Sequence, residues 1–202
     1  MNKIFAYAIA LLVLVGLTAT VLIVTGVIPS ANKSSRSGII SGAPQIGGEF
    51  SLVNNKGKSV TEKDFQGKMM LVFFGYTFCP DVCPTEMQTF SQVMTELGVD
   101  AEEVIPVFIT VDPARDTVEV MDEFVAAFHP SIVGLTGSEE QIIHVKKQYR
   151  AYGQKVEGED KEYYLVDHTS FTYLMGKDGQ LATVFSYGTT TDEMIKKIRE
   201  LL

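Results

Sequence analysis

Residues 69–97 read MMLVFFGYTFCPDVCPTEMQTFSQVMTEL, and three kinds of local order follow one another within them. Met69 to Gly75 is an unbroken apolar run, the pattern of a strand covered on both faces. From Pro84 to Leu97, the residues Met87, Phe90, Val93, Met94 and Leu97 recur at helical spacing, and Gly98 follows as a stop. Between strand and helix lies a loop with both cysteines of the chain, Cys79 and Cys83. A buried strand feeding a helix is the unit of an α/β fold, and ligand sites cluster at that edge of the sheet.

Working outward, the same alternation continues. Phe50 to Val53 and Ser59-Val60 flank the turn Asn54-Asn55-Lys56-Gly57, which predicts an N-terminal hairpin. Val104 to Val111 reads as a second buried strand. Asp116, with Glu119 three residues on, is expected to cap a helix running to Phe128. Ile132 to Leu135 is a short strand, and Ser138 with Gln141 caps a helix reaching Tyr149. Phe171 to Met175 and Leu181 to Phe185 flank Gly176-Lys177-Asp178-Gly179 as a hairpin, and Thr190 with Glu193 caps the last helix. Buried strands separated by helices predict an α/β sandwich around a mixed sheet.

The cysteine loop has definite chemistry. Pro84 suits a first helical position, which makes Cys83 the expected N-cap, its thiol acidified by free N–H groups and the helix dipole. Pro80 restricts the backbone ahead of it, placing Cys79 in the loop before the helix. Residues four apart in such a turn bring their Cα atoms within roughly 6 Å, inside the range of a disulfide. The pair therefore serves as a disulfide or as two thiolates, and only the reduced form binds metal. A bridge closing so small a loop removes little unfolded-state entropy, so stability is a poor reason for it.

Two thiolates alone rarely complete a metal site, and the chain has three histidines to offer. His144 lies among Lys146, Lys147 and Gln148 on a helix, the setting of a solvated surface residue. His129 precedes Pro130 at a helix end, as a cap or loop residue does. His168 follows Tyr164-Leu165-Val166-Asp167 and precedes an apolar strand, on a loop at a strand edge beside an acid able to orient its ring. From position alone, His168 serves equally as a ligand or as an ordinary loop residue. Met87, one turn after Cys83, reads as core packing. The acidic run Glu157, Glu159, Asp160 and Glu162 reads as a solvated loop.

The N-terminus sets the location. No charged residue lies between Ile4 and Asn32, and Ile4 to Ile28 is almost wholly apolar. That exceeds the roughly 20 residues needed to cross a bilayer and the 7–15 of a signal-peptide core, so residues 1–30 are expected to be an uncleaved anchor. Lys3 before the span and Lys33 and Arg36 after it hardly discriminate orientation, but the very short N-terminal flank favours a domain outside the cytoplasm. Residues 31–47, rich in Ser, Gly and Asn, read as a flexible linker with a span of roughly 20–25 Å. Without residues 1–32 the chain carries 16 basic and 25 acidic residues, a net charge of −9. Such a surface is repelled by phosphate backbones, which excludes nucleic acid as a partner.

With these residues in hand, the chain resembles the Sco/SenC family of copper-binding proteins associated with cytochrome c oxidase assembly. The segments that carry the resemblance are CPDVCP at 79–84, VDPARDT at 111–117 and DHTSF at 167–171. The match covers the chain from about Gly48 to its end, after a single anchor of the kind usual in the family. It implies a thioredoxin-like fold over residues 48–202, with an added N-terminal hairpin and an insertion before the histidine strand.

The resemblance further implies that Cys79, Cys83 and His168 are copper ligands. Asp81, Asp112, Arg115, Asp116 and Asp167 match other motif positions, with structural or partner-facing roles. Phe78 departs from relatives that carry a polar or histidine residue before the first cysteine. Two soft thiolates and an imidazole suit Cu(I), and with a further ligand the same set holds Cu(II). The expected function is a copper metallochaperone rather than an enzyme, supporting maturation of the dinuclear copper site of oxidase subunit II. The alternative is a thiol–disulfide reductase acting through Cys79 and Cys83. Expected partners are oxidase subunit II and an upstream copper donor or thiol reductant. The chain is expected to be a monomer, single-pass in the inner membrane, with its domain on the periplasmic or extracytoplasmic side.

Overall fold

A computed structural model describes residues 45–156 and 163–202, which belong to one unit, Pro44–Leu202. The expected anchor, linker residues 31–44 and the acidic run 157–162 lie outside the described residues. Among the described residues no helix is long and apolar enough to cross a membrane.

The sheet is built on two strands buried throughout their centres, β3 (Met69–Gly75) and β4 (Val104–Thr110). They run parallel in register from Met69 opposite Val104 to Gly75 opposite Thr110. β5 (Val133–Thr136) continues the parallel set beyond β4. On that side β1 (Ser51–Asn54) pairs antiparallel with β5 and carries β2 (Ser59–Thr61) outside it, forming the expected N-terminal hairpin. On the other side β8 (Thr172–Met175) and β9 (Leu181–Phe185) add the second hairpin, antiparallel to β3. The order β2-β1-β5-β4-β3-β8-β9 makes the sheet mixed, as expected.

Alternation along β3 sorts the helices onto two faces. Phe73 and Gly75 point, with Phe108, toward α1 (Val82–Leu97) and α2 (Val118–Ala126), where Phe108 packs against Phe124 with centroids 5.1 Å apart. Phe74 points the other way, 5.3 Å from the ring of Tyr149 on α3 (Glu139–Tyr149). The last helix, α4 (Thr191–Leu201), packs along α1. Capping boxes at Ser138–Gln141 and Thr190–Glu193 start α3 and α4 where the sequence places them.

Three local expectations are corrected. α1 starts at Val82, with Asp81 rather than Cys83 at the N-cap. The first three helical N–H groups have no partner within the helix, so Pro84 is tolerated as the third helical residue and does not fix the start. α2 is capped by Thr117, whose hydroxyl accepts from Val120 N–H, because Asp116 is drawn into the interior. His168 ends a strand rather than lying on a loop: β6 (Gly153–Lys155) and β7 (Val166–His168) form a separate antiparallel ribbon, with Gly153 opposite His168.

Candidate metal centre

The cysteine loop leaves β3 at Gly75, and its course is fixed by a carboxylate from a different segment. Asp116, fully buried, accepts from the Thr77 backbone N–H at 3.1 Å, the Thr77 hydroxyl at 2.6 Å and the Thr110 hydroxyl. Burial raises its pKa, with these bonds working against the rise. Cys79 N–H then turns back to Tyr76 O at 3.2 Å. The Cys79 sulfur lies in front of the helix and accepts from Cys83 N–H at 3.5 Å, standing in for the capping side chain that Asp81 does not supply.

The two sulfurs have unequal environments. Cys83 is fully buried, packed so close to Gly75 that a Cβ there would lie 2.6 Å from its Sγ. Burial, reinforced by the neighbouring Cys79 sulfur, pushes the Cys83 thiol up. Cys79 is half-buried and is pulled down to about 3: the Cys83 thiol, then His168 and the N–H groups of Asp81 and Cys83, stabilise its thiolate against the cost of burial. The expectation that Cys83 is the acidified thiol is therefore reversed. Burial dominates at Cys83, and the N–H groups at the helix start bond the Cys79 sulfur instead.

His168 reaches the pair from the ribbon. Its Nε2 stands 3.5 Å from Cys83 Sγ, while Nδ1 is held 2.9 Å from Thr169 O, which orients the ring. The rings of Phe73 and Tyr76 meet it edge-on, with centroids 5.8 and 5.7 Å away. Burial alone lowers the His168 pKa, but hydrogen bonding to Cys79 and to Thr169 O outweighs it and the net shift is upward. The acid expected to orient the ring, Asp167, is exposed on the outer side of β7, and a backbone carbonyl does that work.

Both free sulfurs and the imidazole nitrogen lie within 4.8 Å of one another, the one such cluster among the described residues. Three atoms so placed share a point no more than about 2.8 Å from each, against bonds of about 2.0–2.3 Å from a metal to nitrogen or sulfur. The donor set fits a soft ion, with a small inward movement to close the bonds. Of the other histidines, exposed His144 bonds Glu49 O, and His129 bonds Ser131 at the end of α2. Met87 is fully buried in the core, as expected.

The chain matches the SCO1/SenC family model over residues 40–202. It belongs to the SCO1/SenC family. Among solved SCO1/SenC structures, ScoI of Bradyrhizobium japonicum with copper bound is 42% identical, with a TM-score of 0.73 over 78% of this chain and 99% of that one. The Arabidopsis thaliana SCO1 homolog 1, mitochondrial, is 42% identical over 184 residues, 86% of this chain and 54% of that protein. The sco1 protein of Schizosaccharomyces pombe is 43% identical over 160 residues, 78% of this chain and 61% of that protein. This chain thus spans only between half and two thirds of those two relatives.

The SCO1/SenC motif positions divide clearly. Asp116 fixes the cysteine loop, Asp112 and Arg115 form a buried ion pair beside it, and Asp81 and Asp167 are exposed. Sequence reasoning missed Gly75, Thr77, Tyr164 and Glu86. Glu86 is buried one helical turn beyond Cys83 and accepts from the Thr172 hydroxyl at 2.6 Å; its burial raises its pKa. A carboxylate three residues from Cys83, next to the apolar Met87 in the buried stripe, was the available signal.

Proposed function

We propose that this chain is a copper metallochaperone that carries one ion on Cys79, Cys83 and His168 and supports maturation of the dinuclear copper site of cytochrome c oxidase. The observation that carries the reading is the approach of two free sulfurs and one imidazole nitrogen to within 4.8 Å of one another. The Cys79 thiolate offers the first ligand without loss of a proton. Capture of Cu(I) then expels the Cys83 proton to solvent, and His168 Nε2 supplies the third donor. The half-buried Cys79 marks the side from which a recipient's thiolate enters and takes the ion by ligand exchange. Oxidation of the pair to a disulfide abolishes both thiolate ligands, so redox state gates loading.

In this reading residues 1–30 anchor the chain, 31–47 tether it, and 48–202 carry copper on the extracytoplasmic side of the membrane. The partners are oxidase subunit II and a copper donor or thiol reductant. Anaerobic titration of the reduced protein with Cu(I), against a chromophoric chelator, tests the ligand set. His168→Ala, which removes a direct ligand, is expected to weaken binding by more than the roughly hundredfold upper range for loss of an outer-shell partner, with the fold intact. Unchanged affinity would remove His168 from the site.

The second reading is a thiol–disulfide reductase, favoured by a half-exposed thiolate beside a buried thiol. An attacking thiol works best with a pKa near ambient pH, and a pKa of about 3 makes Cys79 a better leaving group than nucleophile. An oxidase-maturation assay separates the two: the reductase needs both cysteines and tolerates His168→Ala, whereas the metallochaperone tolerates neither change.

A further inference from the structure

Arg115 makes no contact with the three ligand atoms, yet it touches both chain segments that deliver them. Its side chain is largely buried and lies in the turn between β4 and α2. Nε donates to the Asp112 carboxylate, itself 1% exposed, and Nη1 donates to Tyr164 O at 3.0 Å. The Tyr164 hydroxyl donates to the other Asp112 oxygen at 2.8 Å, which closes a ring of three residues. The guanidinium carbon stands 3.6 Å from the centre of the Tyr164 ring, 4.9 Å from that of Phe78 and 5.6 Å from that of Tyr76.

Phe78 immediately precedes Cys79, Tyr76 packs on the His168 ring, and Tyr164 lies four residues before His168. The cation therefore sits between the cysteine loop and the segment that brings the histidine. The ribbon bearing His168 is only three residues long on each strand and forms no part of the main sheet. After His168 the chain enters β8 within four residues, which ties that end of the ribbon to the main sheet, whereas at Tyr164 the hold on the cysteine side comes from side chains. Lys155 on the partner strand adds a second cation over the Tyr164 ring at 4.2 Å.

We propose that Arg115 is a positioning residue for the metal centre, clamping the segment at Tyr164 so that His168 meets Cys79 and Cys83. This rests on the copper reading. The geometry demands a guanidinium, because only a planar fork grips a carboxylate and a carbonyl at once while stacking on a ring; a lysine in its place keeps the charge and loses the clamp.

The test is a cycle of four proteins: the parent, Arg115→Lys, His168→Ala and the double variant. Each is reduced and titrated anaerobically with Cu(I), and read without metal by amide hydrogen exchange. Arg115→Lys is expected to weaken copper binding by roughly tenfold in the parent and by less than about twofold in the His168→Ala background. In the metal-free protein, exchange at Thr169, whose N–H donates to Tyr152 O at 3.1 Å, is expected to accelerate while the amides of β3 and β4 keep their protection.

Parent-like affinity in Arg115→Lys, an equal loss in both backgrounds, or faster exchange throughout the sheet would each overturn the clamp. Parent-like affinity in His168→Ala would instead overturn the copper reading, and the clamp with it. Tyr164→Phe removes the hydroxyl, and with it the bonds to Asp112 and Lys155, while the ring stays under the guanidinium. If Arg115→Lys does not fold, this variant carries the same comparison, with a smaller loss that again vanishes without His168.

Discussion

At the scale of single residues, the centre works through an inequality between two identical side chains. The Cys79 thiolate is solvated on one side and faces N–H donors, while Cys83 is sealed behind Gly75. Reactivity toward an alkylating agent follows the thiolate fraction, so an ordinary thiol near pKa 8.5 gains about tenfold in rate per pH unit below that value. A Cys79 pKa lowered to about 3 means the thiolate dominates throughout the neutral range. Its alkylation by iodoacetamide is therefore expected to be nearly flat from about pH 5 to 8 in the reduced, metal-free protein, with Cys83 unmodified. Peptide mass spectrometry after timed quenching reads both sites. A tenfold rise per unit, or earlier modification of Cys83, would contradict this assignment. The sequence singled out the pair but ranked it wrongly, because the dipole is visible in a helix start and burial is visible only once α1 lies on the sheet.

Among the elements, the strand end that delivers the loop is the most tightly specified. A Cβ on Gly75 would lie 2.6 Å from Cys83 Sγ, 2.8 Å from Phe108 Cε2 and 3.1 Å from Phe73 Cε1. These neighbours are fully buried and have nowhere to retreat. Gly75→Ala is thus expected to destabilise the domain by about 1–3 kcal/mol, the usual range for overpacking, and to weaken copper binding by displacing the Cys83 sulfur. Urea unfolding reads the first effect and Cu(I) titration the second; a variant matching the parent in both would mean the strand end repacks freely. The reason for this glycine was hidden in the sequence, where it only closes an apolar run. α3 and α4 were legible to the residue, because each start is written in a contiguous Ser or Thr and its partner three residues on. The ribbon of β6 and β7 was not. Its strands are short, carry no apolar alternation and pair across a long excursion, so nothing local distinguishes Gly153–Lys155 from loop. The capping of α2 was misplaced by one residue because Asp116 is a good cap in isolation, and its bonds to Thr77 and Thr110 are tertiary.

On the scale of the whole chain, strand and helix alternation was enough to predict the mixed sheet, and the resemblance carried by CPDVCP and DHTSF nominated Cys79, Cys83 and His168, where position alone left His168 open. Their convergence was not readable, since 85 residues separate Cys83 from His168 and only the folded β3, α1 and ribbon bring them together. The proposed division, between an anchor and a copper-carrying domain, yields a prediction of its own. The unit from Pro44 onward contains the three proposed ligands and its own core, so a chain starting at Pro44 is expected to bind Cu(I) with the affinity of the full chain. Delivery is a different matter. In the proposed reading, residues 1–47 hold the domain at the membrane that carries its recipients, which raises its local concentration above that of a freely diffusing domain. The truncated, exported chain is therefore expected to mature the oxidase poorly at native expression and to recover when overproduced, while the full chain stays in the membrane fraction after an alkaline carbonate wash. Loss of the full chain into the wash would exclude residues 1–30 as a spanning anchor. Full oxidase activity at native levels with the truncated chain, exported behind a cleavable signal so that its compartment is unchanged, would show that tethering contributes nothing to transfer.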